Sequence, residues 1–304
     1  MILGDFFYFR YRLKFAQVIK MQIKEITTKN LPTKSNLPVA DFSVNPYVGC
    51  EHACRYCYAS FMKRFTNHRE PWGEFVDVKF WTPIKNPKKY SGKEFFIGSV
   101  TDPYQPCEEK FRRTRSFLEQ MIDSGCKISI ATKSDLVIRD IDLLKKFPEA
   151  RVSFSINTLN ENFRAEMDRA VSLERRIRAM EFLHDAGIRT TCFISPIFPG
   201  ITDVTEIIDR TKNHCNLIWL ENLNLRGDYK ARILDFIRQK YPELLDLYRK
   251  IYLEKDRSYW KDLDSQIKNF TASRNLKYVR NDDSMQDSQL PTVVNYFFHE
   301  ELVR

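Results

Sequence analysis

Residues 94–133 read "EFFIGSVTDPYQPCEEKFRRTRSFLEQMIDSGCKISIATK" and set the pattern of a repeating fold. The opening apolar, β-prone run predicts a strand over 94–100. The amphipathic segment 108–125 predicts a helix ending at Gly125, and 127–133 predicts the next strand. The order continues with a helix over 135–147 stopped before Pro148, a strand over 151–157 and a helix over 172–187 closing at Gly187. A strand over 188–195, a helix over 203–213 and a strand over 215–224 complete the series. Parallel strands need a long crossover, and a helix supplies it, so this alternation argues for an α/β fold with a parallel sheet. Five such strands, preceded by one in "DFSVNPYV" (41–48), give six units, a partial (β/α)6 barrel rather than a closed eight.

The strand faces carry a second message. In 151–157, Val152, Phe154 and Ile156 share one face, and Ser153, Ser155 and Asn157 share the other. In 127–133, Ile128 and Ile130 oppose Ser129, Ala131 and Lys133. An ordinary barrel fills its lumen with branched apolar side chains, and parallel strands are normally covered on both faces. Hydroxyls, an amide and an amine on the inner face therefore predict a polar interior that holds a ligand; a solvent-facing edge is the rival reading.

The 304 residues lie within reach of one α/β domain, with 43% hydrophobic residues for a core and 29% charged residues. No run approaches the ~20 apolar residues of a membrane-spanning helix, so no span is expected. In residues 1–20, Asp5, Arg10, Arg12 and Lys14 interrupt any apolar signal core, and the segment reads as an upstream extension with Met21 an alternative start. The barrel is assigned to 21–227, with 67–93 as an insertion between its first helix and second strand. Residues 228–304 are assigned to a mostly helical α+β extension packing on the barrel. Seven cysteines, an odd count, without a secretory signal point to a reduced cytoplasmic setting. The net charge of +9 points to a polyanionic partner such as nucleic acid. The basic runs are Lys85, Lys88, Lys89 and Lys93, then Arg112, Arg113 and Arg115, then Arg175, Arg176 and Arg178; solvated faces are the bland alternative.

Three of the cysteines, Cys50, Cys54 and Cys57, crowd into "NPYVGCEHACRYCYAS" (45–60). Pro46 and Gly49 put Cys50 in a turn, and a helical pattern from about Cys54 puts two thiols at a helix N-terminus, where the dipole favours thiolate. Metal ligation is the preferred reading over a core stripe at helical spacing. Zinc completed by His52 or His68 is one candidate. A 4Fe–4S cube held by three thiolates is the other, and leaves one iron without a protein ligand.

The spacing CxxxCxxC, with Tyr56 before the last cysteine, resembles the cluster motif of radical S-adenosylmethionine (SAM) enzymes. The stretches "GSVTDPYQP", "ATKSDLVIRD" and "AGIRTTCFISPIFPGITD" are similar to the branch containing spore photoproduct lyase and DNA repair photolyase-like relatives. "KEITTKNLPTKSNLPVADFSVNPYVGC" is similar to a narrower group, the radical SAM mobile pair B proteins. The resemblance implies a partial TIM-type barrel, a 4Fe–4S cluster on Cys50, Cys54 and Cys57, and SAM chelated to the open iron. It implies cofactor contacts from Tyr56, from Ser99, Thr101 and Asp102 after the second strand, and from Lys133 after the third. It also implies contacts from Ser153, Ser155 and Asn157 on the fourth strand, and from Ile194 and Pro196 in the adenine cradle. Spore photoproduct lyase carries a hydrogen-donor cysteine just before the aspartate of the second-strand motif; no thiol stands there in this chain, and Cys107 is the candidate substitute. The implied partners are a reductant such as flavodoxin or ferredoxin, a nucleic-acid substrate, and a second radical SAM protein encoded alongside. The competing functions are a peptide-modifying radical SAM enzyme acting with that partner and a non-catalytic, zinc-stabilised nucleic-acid-binding protein.

Overall fold

A computed structural model describes residues 21–37, 40–280 and 293–297; the extension expected over 1–20 lies outside the described residues. The chain begins with β1 (Gln22–Thr28), β2 (Thr33–Lys34), β3 (Phe42–Val44), β4 (Tyr47–Val48) and β5 (Phe75–Trp81). The alternating part runs β6 (Glu94–Ile97), α1 (Glu108–Phe111), α2 (Arg113–Met121), β7 (Lys127–Thr132), α3 (Ile141–Leu144), β8 (Ala150–Ser155), α4 (Glu161–Met167) and α5 (Leu173–Asp185). It continues with β9 (Arg189–Ile197), α6 (Val204–Thr211) and β10 (Leu217–Asn222). Three helices, α7 (Gly227–Lys240), α8 (Leu245–Tyr252) and α9 (Ser258–Ala272), precede β11 (Lys277–Arg280) and β12 (Val293–Phe297).

The six expected strands form one parallel run, β3, β6, β7, β8, β9 and β10, in the partial-barrel order. The sheet stays open: β2 pairs antiparallel outside β3, and the far edge is β11. The C-terminal segment does more than pack on the barrel. After its three helices, β12 pairs parallel with β10 and β11 pairs parallel with β12, so the same sheet continues. The insertion supplies β5, which joins β1 and β4 in a separate three-stranded sheet.

The apolar face of each strand meets the helices. Val44, Ile97, Ile130, Val152, Phe154, Cys192, Ile218 and Val294 are completely buried there, against Phe117, Leu118, Met180, Leu183, Ile207 and Ile208 from α2, α5 and α6. Polar caps start the helices: Asn160 accepts from the Phe163 amide, Ser172 from Arg175 and Asp203 from Glu206. The single helix expected over 108–125 is broken at Arg112, whose φ of 50° is left-handed. Buried Glu108 explains the break, because its carboxylate accepts from the Thr114 and Arg115 amides (3.0 and 3.2 Å) and so starts α2 afresh.

Candidate active site

The cysteine loop follows β4 through Gly49, where φ is +87° and a β-carbon would stand 2.2 Å from the Phe75 carbonyl oxygen; only glycine fits this approach. Gln105 holds the turn, accepting from the Glu51 amide (2.9 Å) and donating to the Gly49 carbonyl (3.3 Å). The segment after α4 holds the other side: the Arg55 amide donates to Met167 O (2.8 Å) and the Arg169 amide to His52 O (2.7 Å). The loop is a backbone-stitched platform, not the helix start expected from Cys54. The first helical turn, a 3-10 helix over Tyr58–Phe65, begins only after Cys57.

All three thiols are free. Burial is the largest influence on each, pushing Cys54 up to about 12 and Cys50 and Cys57 above the usual thiol value. Cys50 also feels Cys54 and Cys57, and Cys54 feels Cys57, while Lys133 draws Cys54 and Cys57 back toward the thiolate. The helix-dipole activation expected from the sequence is therefore replaced by burial, opposed at Cys54 by Lys133 and Arg176 and at Cys57 by the Ala59 amide, Lys133, Trp72 and Arg232. Among the described residues, no group of three or more His, Cys, Asp or Glu side chains converges tightly enough to hold a metal ion. The donor set itself, three unoxidised sulfurs on one pinned loop, is of the soft type that binds iron–sulfur clusters or zinc.

The polar strand face is present. Ser153 is in register with Ala131 on β7 and Thr191 on β9, and Ser155 with Phe193. Ser155 and Asn157 are buried, and Asn157 Nδ2 and Thr191 Oγ1 have no hydrogen-bond partner among the described residues. A buried donor without an acceptor costs about 1–3 kcal/mol unless a ligand or water supplies one. Lys133 extends its Nζ to 5.7 Å from the Tyr56 ring centroid. Burial alone would lower its pKa; Cys54 and Asp168 outweigh it, leaving the ammonium more firmly charged than usual. A cation beside the sulfurs of Cys54 and Cys57 suits a ligand bearing a carboxylate.

Other expected contacts are placed differently. Ser99 Oγ accepts from Asn45 Nδ2 (2.8 Å), and Thr101 is buried with its hydroxyl 3.5 Å from Tyr47 O. Asp102 is engaged within the protein: it accepts from Thr132 Oγ1 (2.7 Å), the Lys133 amide (2.6 Å) and the Tyr104 amide (2.9 Å). Its Oδ2 also lies 3.1 Å from His52 Nε2, as an ion-pair contact. Burial would raise the carboxyl pKa, but His52 and these donors overcome it and hold it at about 2. Asp102 thus positions the ends of β6 and β7 against the cysteine loop, where a cofactor contact was expected. Ile194 is fully buried in the helix-facing core, in register with Leu220, so its side chain is turned from the polar face; Pro196 is half-buried at the end of β9. Cys107 packs with Tyr47, Val76 and Val78 behind the small sheet and lines a cleft of about 390 Å³ with Ile23, Glu25 and Lys110. Its amide donates to Glu51 Oε1 (2.6 Å), and Cys50 and Glu51 both act on its thiol, so it borders the cysteine loop.

Three features have roles that the sequence does not announce. His52, a candidate zinc ligand by its place among the cysteines, stands with its Nε2 3.1 Å from Asp102 and links the loop to it. Arg176, read as part of a basic surface run, is fully buried and pairs with Asp168 at 2.7 Å; Asp168 in turn accepts from the Tyr56 hydroxyl at 3.4 Å. On the inner face, Glu221 accepts from Ser195 Oγ (2.9 Å) and Trp219 Nε1 (3.0 Å). The two-residue alternation applied to 151–157 would have found these three had it been carried into the last two strands.

Comparison with known proteins follows the same outline. The model of the radical SAM superfamily matches residues 44–210. An uncharacterized protein of Methanocaldococcus jannaschii is 38% identical over 229 residues, covering 75% of this chain and 87% of that protein. A protein of Pseudomonas phage M6 named radical SAM Nα-GlyT isomerase is 27% identical over 172 residues, covering 54% of this chain and 35% of that protein. Spore photoproduct lyase complexed with dinucleoside spore photoproduct superposes with a TM-score of 0.53 at 16% identity, over 73% of this chain and 66% of that chain, a likeness of fold.

Proposed function

We propose, from the premise that this chain belongs to the radical SAM superfamily, that it cleaves SAM reductively on a 4Fe–4S cluster and abstracts hydrogen from a nucleic-acid substrate. The observation that carries this reading is the set of three free thiols on one loop with the charged Lys133 close enough to act on Cys54 and Cys57. When bound, the cluster and SAM supply the electron and the 5′-deoxyadenosyl radical.

The residues of the chain hold and orient. Cys50, Cys54 and Cys57 provide the sulfur ligands, and the backbone bonds to Gln105, Met167 and Arg169 keep their loop rigid. Lys133 pairs with the methionyl carboxylate of SAM. Ser153 and Ser155 on β8 and Asn157 just beyond it would meet its polar groups. Tyr56, tied to Asp168 and edge-on to Phe198 at 5.6 Å, closes one wall and excludes water. The thiols start protonated, since burial raises them, and release their protons on ligation.

The electron donor in this reading is a flavodoxin or ferredoxin in the cytoplasm; among the described residues no helix is long and apolar enough to cross a membrane. The net charge of +9 supports a polyanionic substrate. The test is oxygen-free reconstitution. About four irons per chain and dithionite-dependent release of 5′-deoxyadenosine are expected; one zinc and no iron would overturn the proposal in favour of a structural metal site.

A further inference from the structure

We infer that the exposed row Tyr58, Phe61, Arg64 and Phe65 is a stacking platform that holds an unpaired nucleic-acid strand outside the mouth of the barrel. The inference deepens the proposed function, and rests on it, by naming the surface that presents the substrate. The row lies on the 3-10 helix Tyr58–Phe65, which starts directly after Cys57. A 3-10 helix repeats every three residues, so positions 58, 61 and 64 eclipse along one side. That side is the exposed one: Tyr58 and Phe61 are 56% and 42% exposed, Arg64 is exposed with them, and Phe65, the last residue of the helix, adds a ring that is 67% exposed. The Arg64 guanidinium lies 5.3 Å from the Phe61 ring centroid and 4.7 Å from that of Phe65, so rings and a cation plane form one continuous π surface.

Charge and position choose the occupant. Of the three basic runs read from the sequence, the two arginine runs and Lys93 mostly have carboxylate or aromatic partners, while Lys85, Lys88 and Lys89 are exposed on the 67–93 insertion. Arg175 pairs with Asp135, Arg176 with Asp168, Arg178 with Glu174, Arg115 with Asp140 and Asp142, and Lys93 with Asp41. Arg113 stacks over Phe80 and Trp81. The 3-10 helix instead carries Lys63 and Arg64 with no acidic residue of its own, and Arg232 of α7 lies near enough to act on the Cys57 thiol. The Tyr58 hydroxyl donates to the Ser99 carbonyl just beyond β6, so the row begins at the rim of the site and leads outward.

Unpaired bases stack on aromatic rings and guanidinium planes, whereas a duplex keeps its bases stacked on one another and offers mainly phosphates. An acidic electron-donor protein would meet the cations but leave the two phenylalanine rings unexplained.

The test is fluorescence anisotropy of the full-length, cluster-loaded protein with fluorescein-labelled dT20 and with a duplex of the same length, across a salt series. Tighter binding of the single strand is expected, weakening with salt. Phe61→Ala and Phe65→Ala should each lower dT20 affinity by about 5- to 150-fold, and Arg64→Ala should flatten the salt slope by about 0.7. All three variants should keep the wild-type melting temperature and dithionite-driven 5′-deoxyadenosine release. Unchanged dT20 affinity in the variants, or no binding by the wild type, overturns the platform. So does a pattern in which the variants keep dT20 but lose reduction by flavodoxin, which assigns the row to the electron donor. Wild-type binding that depends on Phe61 and Phe65 without any 5′-deoxyadenosine release supports the platform and overturns the chemistry proposed above, so the two failures are separable.

Discussion

Replacing Arg176 with Met strips the cation from an ion pair that the fold encloses completely. The two side chains are 0% and 1% exposed and meet at 2.7 Å. The guanidinium also donates to Val171 O (3.0 Å) and Ser155 O (3.2 Å), tying α5 to the end of β8. Attraction within such a pair is largely offset by desolvation, so the cost of the variant comes from the carboxylate left behind. Breaking a buried pair costs about 3–5 kcal/mol. Arg164 Nη1, 3.7 Å from the same Asp168 oxygen, partly compensates and places the expectation near the lower end. At roughly 2–4 °C per kcal/mol for a large domain, a loss of about 3 kcal/mol lowers Tm by about 6–12 °C. Circular dichroism melts of Arg176→Met beside Arg178→Met provide the assay, because Arg178 is 74% exposed where it faces Glu174, and such exposed pairs contribute little. Equal melting temperatures for the two variants would refute the buried-network reasoning. Adding Asp168→Leu to Arg176→Met should restore part of the loss, since removing both charges is far milder than removing one.

Cys54→Ala should purify without iron yet keep its circular dichroism spectrum, because the backbone bonds that pin the loop do not involve the thiol; wild-type iron content would contradict this. Lys133→Ala should bind SAM about 10- to 150-fold more weakly by calorimetry, the value of a charge-assisted hydrogen bond, with iron content unchanged. Equal affinity would remove Lys133 from the site. Asp102→Asn tests a depressed carboxyl, held at about 2 against an ordinary 3.8. A lowered acid pKa stabilises the fold above the unfolded value and ceases to do so as pH falls through the folded one. The wild-type advantage in urea melts should therefore be constant above about pH 5 and shrink progressively as pH falls through about 2; an advantage that grows on acidification would contradict it.

The parallel sheet was legible because strand and helix periods differ and because glycine and proline mark most of the joins. Less legible were the features decided by tertiary contact. The break at Arg112 depends on Glu108 folding back onto the amides of Thr114 and Arg115, which no local propensity encodes. The start of the first helical turn at Tyr58 rather than near Cys54 follows from the loop's bonds to Gln105, Met167 and Arg169, all distant in sequence. The pairing of β12 with β10 joins strands that lie more than seventy residues apart. In the site, thiol spacing and strand alternation located the sulfurs and the polar face. The burial of Arg176 and the protein partners of Asp102 were not legible, because a charged residue reads alike whether it faces solvent, a ligand or a buried counter-ion.

The most direct measurement is electron paramagnetic resonance of the oxygen-free, dithionite-reduced protein before and after addition of SAM. The account predicts an iron–sulfur signal whose g-values shift when SAM is added, in wild type but not in Cys54→Ala. An iron–sulfur signal that SAM leaves unaltered, or no such signal in fully reconstituted wild type, would contradict it.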